Sequence, residues 1–178
     1  MQFELSSAFE IEKSGNKLID HDKAALKRLW ESVDEDFGDF ISRGVGVYLF
    51  SIKAGKGILP WYVGMAEKQP FCMECFGSHK LLHYNNAIAS RKGTPVITLI
   101  AKMTAGGKLA KPSKNGHKDI QLLETMLIGS CLKRNSELMN IKDTKHLREM
   151  VVPGYLNNPK GRDTKRIKSL QEIIGAGG

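Results

Sequence analysis

Along residues 23–41 apolar side chains recur at spacings of three and four: Leu26, Leu29, Trp30, Val33, Phe37, Phe40 and Ile41. That period gathers them on one stripe of a helix. Asp20 or Asp22 is placed to cap its start, and Gly44 to end it. The acids Glu31, Asp34, Glu35, Asp36 and Asp39 fall mostly on its other side. Residues 2–12 hold short apolar stretches that suit one strand. Residues 45–52 (VGVYLFSI) are β-branched and aromatic, as a strand requires, and residues 58–64 (ILPWYVG) form a second. Ala54-Gly55-Lys56-Gly57 turns the chain between them, so the pair reads as a hairpin, with Pro60 near a strand start or at an edge. Residues 78–90 look helical, with Ser78 as a candidate N-cap. Gly93-Thr94-Pro95 then punctuates, and residues 96–103 (VITLIAKM) read as a buried third strand. Residues 104–118 are rich in Gly and Lys and predict a mobile loop. Asp119 is placed to cap a helix over 120–134, whose inward face carries Ile120, Leu123, Leu127, Ile128 and Cys131. A final helix is expected over 164–174.

Composition narrows the class. The chain has 178 residues, enough for one well-cored domain, and 41% of them are hydrophobic. No run nears the ~18 apolar residues of a membrane helix. Residues 1–17 carry acids where a secretion signal would be basic, so a cytoplasmic protein with no membrane partner is expected. Three cysteines, Cys72, Cys75 and Cys131, argue for reduced thiols over a disulfide framework. The net charge is +8, and residues 101–178 hold all of the excess, with 15 basic and 7 acidic side chains. A basic half suits a polyanionic partner, because cations that meet phosphates release condensed counterions.

The candidate chemistry begins with Gly46-Val47-Tyr48 in one strand and Tyr62-Val63-Gly64 in the next. Alternate side chains of paired strands share a face, so the two tyrosines are expected near each other. His83 follows on a helix, then a third strand, then Glu124 in a Leu-Leu-Glu-Thr-Met-Leu-Ile helix, then Asn140. This ordered set, over about residues 44–141, resembles the GIY-YIG nuclease family. The resemblance implies an α/β fold: a small three-stranded sheet flanked by helices, here with an added N-terminal helix. It also implies a metal-dependent endonuclease that hydrolyses phosphodiester bonds, with double-stranded DNA as the expected partner. In that reading Glu124 holds Mg²⁺ or Mn²⁺, a hard cation that keeps most of its waters and needs few carboxylates. Tyr48 takes or relays the proton of the attacking water, although a tyrosine pKa near ~10 must first be depressed. Tyr62 hydrogen-bonds the phosphate or the water network. His83 donates to a phosphate oxygen or transfers a proton, and Asn140 supports the Glu124 region.

The sequence departs from the family pattern at one position. The arginine expected four residues before the histidine is His79, followed by Lys80. Either of these supplies the cation, with Lys80 favoured for its permanent charge and Arg91 as a further candidate. A lysine is a point charge and lacks arginine's planar fork. The same stretch permits a rival reading, because Cys72, Cys75, His79 and His83 are zinc-ligand types at knuckle-like spacing. His21 and His117 read as loop surface residues. Lys108, Lys111, Lys114 and Lys118 on the loop, and Arg162, Lys165 and Arg166 in the tail, would contact the nucleic-acid backbone and set affinity more than sequence choice. The expected organisation is an N-terminal extension (1–43), a catalytic domain (44–141) and a basic extension packed on it (142–178). A catalytically silent nucleic-acid-binding module of the same fold, and a protein-interaction module using the acidic helix, are the alternatives. Oligomeric state stays open.

Overall fold

A computed structural model describes the chain except for residues 16–17, 56, 90, 141–143, 154, 156–164 and 176–178. It divides into two compact units, Met1–Met139 and Asn140–Gly178. The first is a mixed α/β unit. Its main sheet is antiparallel with strand order β1-β6-β4-β5, built from β1 (Gln2–Glu10), β4 (Gly46–Ala54), β5 (Gly57–Ala66) and β6 (Thr94–Met103). A two-stranded ribbon joins β2 (Lys13–Ser14) to β3 (Leu18–Ile19). The sheet thus has four strands where three were expected. The N-terminal segment supplies the fourth by pairing with β6, and Ser6 Oγ accepts from the buried Leu99 N–H across that pair. No helix among the described residues is long and apolar enough to cross a membrane.

Helix α1 (Lys23–Phe37) buries Ala25, Leu29, Trp30 and Val33, part of the stripe read from the sequence. The Asp22 carboxylate caps it by accepting from Ala25 N–H at 2.7 Å. It ends at Phe37, seven residues before Gly44. Gly38 takes a left-handed φ of 75° and donates its N–H to Asp34 O, which closes the helix, and Ile41–Arg43 form a separate 3-10 turn. The Asp34 side chain turns back to accept from Ser42 N–H and Oγ, so this acid anchors a turn and is not part of a free acidic face.

Helices α2 (Phe71–Glu74) and α3 (Ser78–Ala89) lie between β5 and β6 in sequence, and α4 (Lys118–Arg134) follows β6. The core on one sheet face unites Tyr48, Phe50, Ile97 and Leu99 with Trp30, Phe71, Phe76 and Tyr84 from the helices. Helix α4 packs mainly on β5, where Asn135 Nδ2 donates to Pro60 O and Met139 N–H to Trp61 O. Asp119 does not cap α4. The helix begins at Lys118, and the Asp119 carboxylate is taken by Lys102 at 2.8 Å. Glu67 instead holds the chain at the helix start, accepting from His117 N–H at 2.8 Å and from the Gln121 side-chain Nε2 at 2.9 Å. The segment before α4, expected to be mobile, is pinned: Thr104 N–H donates to Lys108 O, Ala110 N–H to Lys102 O, and Ser113 N–H to Glu67 O. In the second unit, α5 (Thr144–Glu149) starts where Thr144 Oγ1 donates to Asn140 O, and α6 (Lys165–Ile173) buries no residue.

Two glycines fix how closely β4 can be approached. A Cβ on Gly46, at φ +157°, would stand 2.0 Å from Ile100 O and 3.0 Å from the Phe71 ring. One on Gly64 would meet the Tyr48 ring and hydroxyl at 2.4 Å. Gly129, within α4, has open space around it. Gly46→Ala and Gly64→Ala are therefore expected to lose more than about 2 kcal/mol in urea unfolding. Gly129→Ala is expected to gain about 0.5–1 kcal/mol from helix propensity alone.

Candidate functional site

The β4–β5 register sets the site. Tyr48 is paired with Gly64, and Phe50 with Tyr62. The next pair is Ser51 with Pro60, which leaves Trp61 as an extra, bulged residue. Tyr48, Phe50, Tyr62 and Gly64 consequently share one face. With no side chain at Gly64, the Tyr48 ring lies across the neighbouring strand. It is fully buried, and its hydroxyl is shut from solvent, near the Tyr84 hydroxyl but without a hydrogen bond of normal geometry among the described residues. Tyr62, partly buried, sits 6.4 Å from it between ring centroids, tilted by 35°.

Helix α3 covers this face with two adjacent rings. Tyr84 stacks on Phe50 at 4.1 Å and 8°, and its hydroxyl donates to Cys75 O at 3.0 Å. His83 stacks on Tyr62 at 5.3 Å and 16°. One turn earlier, His79 meets His83 edge-on at 4.7 Å. Tyr84 is fully buried, His83 partly exposed and His79 exposed, so the helix grades from core to solvent across the site.

Burial dominates the electrostatics. It pushes the Tyr48 and Tyr84 hydroxyls well above the ordinary tyrosine range. Tyr62 rises to about 12, first through burial and then through the negative charges of Glu124 and Glu74. Glu124, half-buried on α4, thus acts on Tyr62 through its charge, while His83 stacks on the ring. The His83 pKa is lowered, by burial and by His79. Tyr48, expected to take the water's proton, is placed badly for that work, because its oxygen is shut from solvent and holds its own proton tightly.

Neither candidate cation stands ready for a phosphate. Lys80 is ion-paired with Glu74, both side chains being mostly buried. Arg91 pairs with Glu137 and lies 5.0 Å over the Trp61 ring. Sequence reasoning missed Glu74, because it lies six residues before Lys80 across the break at Gly77, where no helical spacing rule links them. His117, read as a partnerless loop residue, is the centre of a network: Lys102 Nζ lies 3.0 Å from its Nδ1, and its Nε2 lies 3.1 Å from Lys111 O. Lys108, Lys111, Lys114 and Lys118 are all exposed, as are Lys165 and Arg166 on α6 of the second unit. Arg162 lies outside the described residues. Asn140 belongs to the second unit, where its carbonyl accepts from Thr144.

Among the described residues no three His, Cys, Asp or Glu side chains are grouped to hold a metal ion, so the zinc reading of Cys72, Cys75, His79 and His83 finds no support. Burial raises the Cys75 thiol well above its usual range. The half-exposed carboxylate of Glu124 is the donor type that suits a hydrated hard cation, since magnesium takes one or two carboxylates and keeps its waters. In comparisons with known proteins, no family model, no curated protein and no solved structure matches the chain.

The Tyr62 environment has a measurable consequence. Glu124→Gln removes a negative charge near the phenol, so the Tyr62 pKa is expected to fall from about 12 towards the free value of ~10. NMR of ¹³Cζ-labelled tyrosine reads this directly, and an unmoved titration would separate Glu124 from Tyr62. Because the folded pKa exceeds the unfolded one, Tyr62's contribution to stability is complete below pH ~10. It is lost as pH rises towards the folded value.

Proposed function

We propose that the chain is a metal-dependent endonuclease of the GIY-YIG type, hydrolysing phosphodiester bonds of double-stranded DNA. The observation that carries this reading is Tyr62 stacked on His83 and within reach of the Glu124 charge, beside a Tyr48 ring seated over Gly64. In the proposed fold, β5, β4 and β6 are the family's three strands, and β1 is an added edge strand. Glu124 would hold Mg²⁺ or Mn²⁺, which supplies charge stabilisation to the phosphoryl group. Tyr62 keeps its proton through the neutral range, so its hydroxyl is a hydrogen-bond donor for a phosphate oxygen. Buried Tyr48 shapes the wall behind it. The lysines at 108, 111, 114 and 118 would track the nucleic-acid backbone and make binding salt-dependent. Glu124→Ala is expected to reduce Mg²⁺-dependent nicking of supercoiled plasmid by about a thousandfold, the loss of several kcal/mol of charge stabilisation. Its circular dichroism should match wild type. Equal nicking by wild type and Glu124→Ala would discard the reading.

The Lys80–Glu74 pair favours a second reading, a nucleic-acid-binding module of the same fold without catalysis. With its cation neutralised, the site would hold a phosphate weakly and not turn it over. Glu74→Gln would release Lys80, and the expected result is tighter DNA binding with a salt dependence steeper by about one ion, log K falling by a further ~0.9 per log unit of salt. Fluorescence anisotropy across a salt series measures both quantities. The second reading requires that no plasmid nicking accompany the tighter binding.

A further inference from the structure

A group that removes a proton from water must be reachable by water and must have a free lone pair. Four side chains around the hairpin face are candidates: Tyr48, Tyr62, His79 and His83. The Tyr48 oxygen is sealed, and Tyr62 holds its proton at neutral pH. His79 is exposed on the outer turn of α3, where, among the described residues, it meets the His83 ring and no other. His83 remains. Its ring lies against Tyr62, is partly open to solvent, and forms no hydrogen bond with the described residues.

Resting on the endonuclease reading, we infer that His83, and not Tyr48, is the proton acceptor for the attacking water. Stacking on Tyr62 sets the plane of the imidazole beside the phenol that would bind the phosphate, and no hydrogen bond among the described residues takes its nitrogens. The charged and titratable groups facing this position are His79 on α3, Tyr62 on β5 and, through Tyr62, Glu124 on α4 and Glu74 on α2. Burial and His79 keep His83 neutral at pH 7, the form with a lone pair to offer. In the step, a ring nitrogen takes one proton from water as the water oxygen bonds to phosphorus. The bond from phosphorus to the leaving oxygen breaks, and that oxygen takes its proton from solvent. The imidazolium then returns its proton to solvent. Tyr48 becomes a positioning residue that holds Tyr62 and the hairpin.

The test compares His83→Ala, Tyr48→Phe and Glu124→Ala with wild type in plasmid nicking as a function of pH, with and without added imidazole. His83→Ala is expected to lose a hundredfold or more, roughly the range of general-base catalysis, and to recover part of it with imidazole. Tyr48→Phe should stay within about tenfold of wild type and keep its pH profile, since a buried positioning ring survives loss of its hydroxyl. In metal-free protein, ¹⁵N NMR should show His83 titrating below ~6.5, the value of a free histidine. A dead Tyr48→Phe beside an active His83→Ala overturns the inference and spares the endonuclease reading. So does a His83→Ala loss that imidazole fails to rescue, or a His83 midpoint at or above the free value. A wild-type protein that cuts nothing with Mg²⁺ or Mn²⁺ overturns both.

Discussion

The contact between the Tyr48 ring and Gly64 governs what the rest of the site can be. In an antiparallel pair, residues directly opposite bring their Cβ atoms to about 5 Å, so a large ring crosses to the next strand only where that strand has none. Gly64 supplies the gap, and the ring fills it to within 2.4 Å of where a Cβ would be. Once Tyr48 is seated there, Phe50 and Tyr62 occupy the next paired position on the same face. Their spacing then receives Tyr84 and His83, two consecutive residues of α3, as one stacked layer. Gly46 does related work at the strand start, where the backbone of β6 and the Phe71 ring come too close for any side chain.

This packing also sets the chemistry. An aromatic layer excludes water, so each phenol keeps its proton and the face offers hydrogen-bond donors in place of anions. Negative charge comes from outside the layer, from Glu124 and Glu74, and both raise Tyr62. Positive charge is supplied by Lys80 but is held by Glu74. Such a mostly buried pair is costly to break by removing one partner, which makes Glu74 as consequential for the site as the lysine it binds.

Much of the frame was legible in the chain. The hairpin followed from β-branched and aromatic runs around a Gly-rich turn, and the inner stripe of α1 from three- and four-residue spacing. The two tyrosines share a face because strand alternation is a local rule, whereas His83 was placed with them only by the family resemblance. What escaped was non-local or stereochemical. The spacing points to Gly44 as the stop of α1, whereas the left-handed backbone at Gly38 closes the helix earlier. Residues 2–12 read as a strand, yet nothing local says that they pair with β6, about ninety residues away. Asp119 has a cap's position but not its role, since Lys102 comes from a distant strand to take the carboxylate. Tyr48's unfitness as a base is likewise a property of burial, which its motif does not reveal.

The central claim is that Tyr62, His83 and Glu124 form one phosphate- and cation-binding centre. Paramagnetic broadening by Mn²⁺, read by NMR in the presence of a short DNA duplex, tests it most directly because it needs no turnover. The account predicts that the Tyr62 and His83 ring signals and the Glu124 side chain broaden first and together, and that Glu124→Ala abolishes the effect. Broadening that is unchanged by Glu124→Ala, or that begins elsewhere on the chain, would contradict it.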